Sequence, residues 1–213
     1  MVSAKCKLQI APPPGKATPA IFNFQFSILT LNLAPPSTLA PAVFLDRDGT
    51  LMDDTSYVSD PSHVCVFDGV REALGALQAR GFRTVIVTNQ SGIGRGYFTV
   101  ADYEAVQARF LELLGPGLID AAYMCPDHPD TATERRKPGP GMLLEAARDL
   151  GLDLARSWMV GDRAGDLEAA QRAGVRPILV LTGEGTAADP AGAVFVAKDF
   201  ASAAEFILKT SDA

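Results

Sequence analysis

Four short stretches of this chain end an apolar run, or open a turn, in residues able to do chemistry. "AVFLD" runs into Asp46, Arg47 and Asp48, "TVIVTN" ends in Thr88 and Asn89, and "WMVGD" ends in Asp162. "RKP" sets Arg136 and Lys137 before a proline. A carboxylate can act as a nucleophile, as a general acid–base or as a ligand to a hard divalent cation. Hydroxyl, amide and ammonium donors stabilise negative charge that develops on a substrate. A lone Asp at a strand end is more often a turn or cap residue. Four polar ends on one edge of an apolar sheet are hard to attribute to capping.

The elements around them read as alternating strands and helices. Strands are expected over Ala42–Asp46, Thr84–Asn89, Asp120–Cys125, Trp158–Asp162 and Pro177–Gly183. Between them, Asp68 reads as the N-cap of a helix with Val70, Ala73, Leu74 and Leu77 on one face, stopped by Gly81. Thr99 with Asp102 caps a second helix ended at Gly115. Pro140 suits the first turn of a third, with Gly151 beyond its end, and a fourth surrounds Glu168. Strands apolar throughout, separated by amphipathic helices, predict a doubly wound parallel sheet covered on both faces. Sites in such folds lie outside the carboxyl ends of the strands, where these polar residues collect.

The 213 residues suit one domain, and 47% hydrophobic with 21% charged residues is globular composition. A net charge of −6 argues against nucleic acid as a partner. No apolar run is long enough to span a bilayer. Three scattered cysteines fit a reducing compartment, so the cytoplasm is expected, and nothing demands more than a monomer. Residues 1–40 differ in kind: there is no acid before Asp46, and "IFNFQFSILTLNLA" (Ile21–Ala34) alternates with strand period. They read as a poorly ordered extension without function, with a targeting extension as the alternative. The domain is expected over 41–209, followed by a short tail at 210–213.

"FLDRDGTL", "VTNQSGIGRGYFT", "RKPGPGM" and "MVGDRAGDLEAA" resemble the four motifs of the haloacid-dehalogenase-like (HAD) phosphohydrolases. More narrowly they are similar to the histidinol-phosphatase and D-glycero-D-manno-heptose-bisphosphate phosphatase family. The resemblance implies an HAD-like Rossmannoid fold without a large cap domain. It also implies Mg²⁺-dependent hydrolysis of a small phosphorylated metabolite.

Under that resemblance Asp46 is the nucleophile, forming an aspartyl-phosphate, and Asp48 is the general acid–base. Thr88 and the Asn89 amide donate to phosphoryl oxygens, and Lys137 supplies fixed positive charge. Asp46, Asp162 and the Asp48 carbonyl are the Mg²⁺ ligands. Asp166 could orient a metal-bound water or Lys137, and could equally be the N-cap of the helix that follows. Asp54, Tyr57, Asn89, Gln90, Ser91, Arg95, Arg136 and Arg163 make up the expected substrate-binding set. Trp158 reads as core.

Many relatives hold a structural zinc just before Arg-Lys-Pro. Here Cys125 matches the first ligand, but Asp127, Thr133 and Arg135 stand at the other three places and His128 is one position off. Four closed N/S ligands are needed, so no zinc is expected. The Arg136 guanidinium suits a second anionic group and would repel a cationic amine unless acids such as Asp53 or Asp54 met it. Heptose 1,7-bisphosphate, cleaved at the 7-phosphate, is therefore the expected substrate and histidinol phosphate the alternative. A nucleic-acid 3′-phosphatase and a catalytically idle binding module are the remaining readings.

Overall fold

The structure is a computed structural model that describes residues 39–54 and 57–211. The alternating segment Ile21–Ala34 and the rest of the extension lie outside the described residues.

The strands and helices follow in chain order as β1 (Ala42–Leu45), α1 (Val70–Ala79), β2 (Arg83–Asn89), α2 (Ser91–Gly94) and α3 (Val100–Leu114). Then come β3 (Ala121–Cys125), α4 (Gly141–Leu150), β4 (Trp158–Gly161), α5 (Ala164–Ala173), β5 (Arg176–Val180), β6 (Phe195–Ala197) and α6 (Phe200–Thr210). The six strands form one sheet in the order β3-β2-β1-β4-β5-β6, and every pairing is parallel. This is the expected doubly wound architecture. The chain winds outward from β1 to β3 and then returns to β4, so the strand order reverses between β1 and β4.

Period-two alternation sorts the strand residues to two buried faces. Val43 and Leu45 of β1, Ile86 of β2 and Val160 of β4 pack with α1, α3 and α6 through residues such as Leu74, Phe110 and Phe200. Ala42, Phe44, Val85 and Val87 pack on the other face with Met142 and Leu143 of α4 and Ala169 and Ala170 of α5. Trp158 is fully buried, as expected.

Thr99 and Asp102 form the expected reciprocal cap of α3, which ends at Gly115. At α1 the expectation fails. Its N-cap is Gly69 in the left-handed region (φ +79°), without a side-chain cap, and Asp68 sits one residue before that cap. The positive φ supplies the turn into the helix, a conformation that favours glycine. The last strand and helix, β6 and α6, were not delimited in the sequence. Helix α6 runs through Thr210 and into the expected tail, with Ser211 at its C-cap. At the other end, Ala40 already belongs to the domain: its N–H donates to Gly151 O (3.2 Å) and its carbonyl accepts from Asp153 N (2.8 Å).

The two places where a cap could be inserted are small among the described residues. Between β1 and α1 lies one 3-10 turn, Pro61–His63, with isolated bridges Asp48–Met52 and Met52–Val66. Between β2 and α3 lies the four-residue α2. No helix of the described residues is long and apolar enough to cross a membrane.

Candidate active site

Leu45 stands opposite Val160 of β4, and Asp46 continues that ladder by donating its N–H to Val160 O (3.0 Å). Asp46 and Asp162 thus leave neighbouring strands at the point where the strand order reverses, the usual position of a ligand crevice. The crevice holds about 300 Å³ and is lined by Asp46, Asp48, Thr88, Asn89, Gln90, Ser91, Lys137 and others.

Lys137 crosses the centre. Its Nζ lies 2.6 Å from Asp46 Oδ1 and 2.6 Å from Asp166 Oδ1, with all three side chains buried. Burial alone would lower the Lys137 pKa; the facing carboxylates of Asp166 and Asp46 outweigh it and raise the value. Burial raises Asp46 well above the carboxylate range, against the pull of Lys137 and with help from the nearby acids. Asp162 is also raised by burial, to about 6, although the Glu184 N–H opposes this.

Asp166 has two partners. One oxygen meets Lys137, and the other accepts from Arg163 N (3.0 Å) at the first turn of α5. Of the roles weighed from sequence, Asp166 meets Lys137; the N-cap of α5 is Arg163 and not Asp166, which lies at the third helical position and accepts from the cap N–H. Asn89 holds Lys137 from behind: its Nδ2 donates to Lys137 O (2.9 Å) and its Oδ1 accepts from Lys137 N (3.1 Å). The Asn89 side chain is thus committed to the loop. Gln90 Nε2 donates to Asp48 Oδ2 (2.7 Å) and Thr88 Oγ1 (3.0 Å).

One group of three acids among the described residues could close on a metal: Asp46, Asp162 and Asp166, with ligand atoms within 4.8 Å of one another. The donor set fits Mg²⁺, which takes carboxylate oxygens at few protein ligands. Charge points the same way. The cleft is lined by five carboxylates (Asp46, Asp48, Asp54, Asp166, Glu184) against three cations (Arg136, Lys137, Arg163). A phosphate dianion meets net negative charge there unless a cation is added. Glycine makes the crowding possible. A Cβ at Gly49 (φ +83°) would strike the Asp162 carboxylate, and one at Gly161 would strike that of Asp166.

At the mouth, Arg136 lines the cleft, and among the described residues no carboxylate pairs with it. Its Nη1 reaches Asp127 O at 3.4 Å. Arg163 also lines the cleft, but its guanidinium is shared between Asp54 Oδ2 (2.9 Å) and Glu184 Oε1 (3.0 Å). Arg95 caps α2 in an exposed position and is not among the lining residues. Tyr57 lines the cleft with φ +59° and packs edge-on against Tyr97, ring centroids 5.0 Å apart. Glu184 escaped the sequence reading because it sits in the loop after β5, outside any motif. Its N–H donates to Asp162 Oδ2 (2.8 Å), so it also fixes a candidate metal ligand.

The third loop, residues 126–140 between β3 and α4, is closed by hydrogen bonds at Asp127, Thr133 and Arg135. Asp127 Oδ2 accepts from Thr133 N (2.8 Å) and Thr133 Oγ1 (2.6 Å). Arg135 donates to Met124 O and pairs with Glu145. Burial raises the pKa of the Cys125 thiol.

Fold and site together define a phosphatase of the HAD-like class. A profile of the HAD-hydrolase-like family matches residues 134–203. D-glycero-beta-D-manno-heptose-1,7-bisphosphate 7-phosphatase of Mesorhizobium japonicum is 42% identical over 158 residues, 68% of this chain and 70% of that one. The enzyme of the same name from Escherichia coli K12 is 44% identical over 154 residues, 68% of this chain and 81% of that one. The crystal structure of D,D-heptose 1,7-bisphosphate phosphatase from B. bronchiseptica, complexed with magnesium and phosphate, superposes with a TM-score of 0.74 at 36% identity. That match covers 80% of this chain and 99% of that one. The chain belongs to this heptose-bisphosphate phosphatase family of HAD-like hydrolases.

Proposed function

We propose that the protein is a Mg²⁺-dependent phosphatase that removes the 7-phosphate of D-glycero-D-manno-heptose 1,7-bisphosphate through an aspartyl-phosphate on Asp46. The observation that carries this reading is the buried Asp46–Lys137–Asp166 array at the strand-order reversal, beside Asp48. Magnesium, when bound by Asp46 and Asp162 with the Asp48 carbonyl, supplies positive charge that lets two anions approach.

Lys137 holds Asp46 in place and offsets charge on the phosphoryl group as it transfers. Asp46 attacks phosphorus, and Asp48 protonates the leaving oxygen and then activates water. Thr88 Oγ1 and Ser91 line the cleft as donors to the phosphoryl oxygens. Asn89 acts through Lys137, and Gln90 through Asp48.

The substrate reading rests on Arg136. Arg163, paired with two acids, contributes little net charge, and Arg95 stands apart. Arg136 is the lining guanidinium left to meet a second phosphate, which supports a bisphosphate over an amine such as histidinol phosphate. We extend the proposal to a zinc-free loop, in which the Asp127–Thr133 bonds take over the positioning of Arg136. A small metabolite, and no nucleic acid, is the proposed partner. Comparing kcat/KM for the bisphosphate and for histidinol phosphate tests the substrate. Preference for histidinol phosphate would overturn it.

A further inference from the structure

Arg47 lies between the two proposed catalytic acids, yet the chemistry above gives it no task. It is 1% exposed and among the largest fully buried side chains of the protein. Its Nη2 lies 3.0 Å from both oxygens of Asp48, and its Nε 3.2 Å from Oδ1. Its Nη1 donates to Gln107 Oε1 of α3 at 3.0 Å. Its guanidinium carbon stands 5.1 Å from the Tyr103 ring centroid on the same helix.

Burying an arginine is costly, and apolar residues of similar volume often serve stability as well or better. Here the guanidinium fork is directed at one carboxylate whose side chain remains 18% exposed and lines the cleft. Among the described residues no other cation pairs with Asp48. The main chain adds to the restraint, because Arg47 O accepts from Thr50, Leu51 and Met52 N and fixes the turn that carries Asp48. Gln90 meets Oδ2 from the cleft side.

Resting on the function proposed above, we propose that Arg47 is a positioning residue for proton transfer. Braced by Gln107 and Tyr103, it holds the Asp48 carboxyl at the angle needed for both halves of the reaction. In the first half an Asp46 oxygen bonds to phosphorus. The bond from phosphorus to the leaving oxygen breaks with its electron pair on that oxygen, which takes the proton carried by the Asp48 carboxyl group. In the second, a water oxygen bonds to phosphorus, the Asp46–phosphorus bond breaks, and Asp48 takes the proton that water releases. A carboxyl free to rotate would miss both transfers, because each needs a distance near 3 Å.

Leaving-group chemistry separates this role from plain structural support. p-Nitrophenolate needs no proton to depart, so only the second half of its reaction depends on Asp48. Arg47→Met is expected to lower kcat for heptose 1,7-bisphosphate by about tenfold or more, with KM within about twofold. With p-nitrophenyl phosphate it should keep the wild-type burst of p-nitrophenolate and accumulate acid-stable phosphoenzyme, since its hydrolysis is slowed. Arg47→Lys should recover part of the loss. Gln107→Leu, which removes the brace but leaves Arg47, should give a smaller defect of the same kind, and it serves if Arg47→Met does not fold.

A folded Arg47→Met or Gln107→Leu protein with wild-type kcat for the sugar phosphate would overturn the proposal. So would an equal loss on both substrates without phosphoenzyme. Failure of the underlying reading has a different signature: wild-type protein itself would form no phosphoenzyme on Asp46, and the role of Arg47 would fall with it.

Discussion

The Lys137 ammonium and the Asp46 carboxylate are joined at 2.6 Å inside the protein, their side chains 3% and 9% exposed. The same ammonium also holds Asp166, so one cation bridges two buried acids.

Removing that cation leaves two facing carboxylates without compensation. Lys137→Met is expected to cost about 3–5 kcal/mol of stability, as for other broken buried pairs. It should lower kcat by about 10²–10³, as for the loss of a preorganised charge at the reacting group. Urea denaturation and steady-state kinetics measure the two. A stability loss well under about 1 kcal/mol would mean that the array is not the buried network described.

Metal removal should have a pH signature. The pKa of Asp46 and of Asp162 is raised in the folded protein, Asp162 to about 6. The folded state therefore binds more protons than the unfolded state from the ordinary carboxylate range up through the raised values. Stability of the metal-free protein falls as pH rises through that window. Lys137, raised from an already high value, stays charged throughout and does not offset the loss. Thermal melts in chelator should show a lower Tm at about pH 7.5 than at about pH 5, and Mg²⁺ should raise Tm more at the higher pH. An equal Mg²⁺ effect at both pH values would contradict the assignment of these acids as ligands.

The third loop is predicted to depend on Asp127. Asp127→Ala removes both hydrogen bonds to Thr133 and loosens the segment that presents Arg136. KM for the bisphosphate should rise severalfold, while kcat for p-nitrophenyl phosphate changes little. Elemental analysis of chelator-free protein should find well under one zinc per chain. Stoichiometric zinc bound through Cys125 would show that the loop is closed by metal.

At the start of the domain, a chain beginning at Leu39 should be more stable than one beginning at Pro41. The longer one keeps the two backbone hydrogen bonds of Ala40 to Gly151 and Asp153. The expected difference is about 1–2 kcal/mol. Equal denaturation midpoints would remove Ala40 from the fold.

The candidate-site end of the sheet was legible because parallel strands buried on both faces read as apolar runs, and their polar terminal residues stand out. Asp46, Thr88 and Asp162 are visible for that reason, and Lys137 through the motif before α4. What stayed hidden depends on partners distant in sequence. Nothing local indicates that Arg163 is paired with Asp54 and Glu184, or that the Asn89 side chain bonds the backbone of Lys137. Arg47 drew no role from the sequence, since its burial depends on Gln107 and Tyr103 of a helix some sixty residues away. Asp68 was misread because Asp is a favoured N-cap, whereas the left-handed Gly69 provides the turn at α1.

The central claim is that Asp46 carries the phosphoryl group. Rapid acid quench with labelled substrate, followed by peptide mapping, should find phosphate on Asp46 of the wild-type protein. Folded Asp46→Asn should show neither that label nor measurable Mg²⁺-dependent turnover. Label on another residue, or a folded Asp46→Asn protein retaining about a tenth of wild-type turnover, would contradict the account.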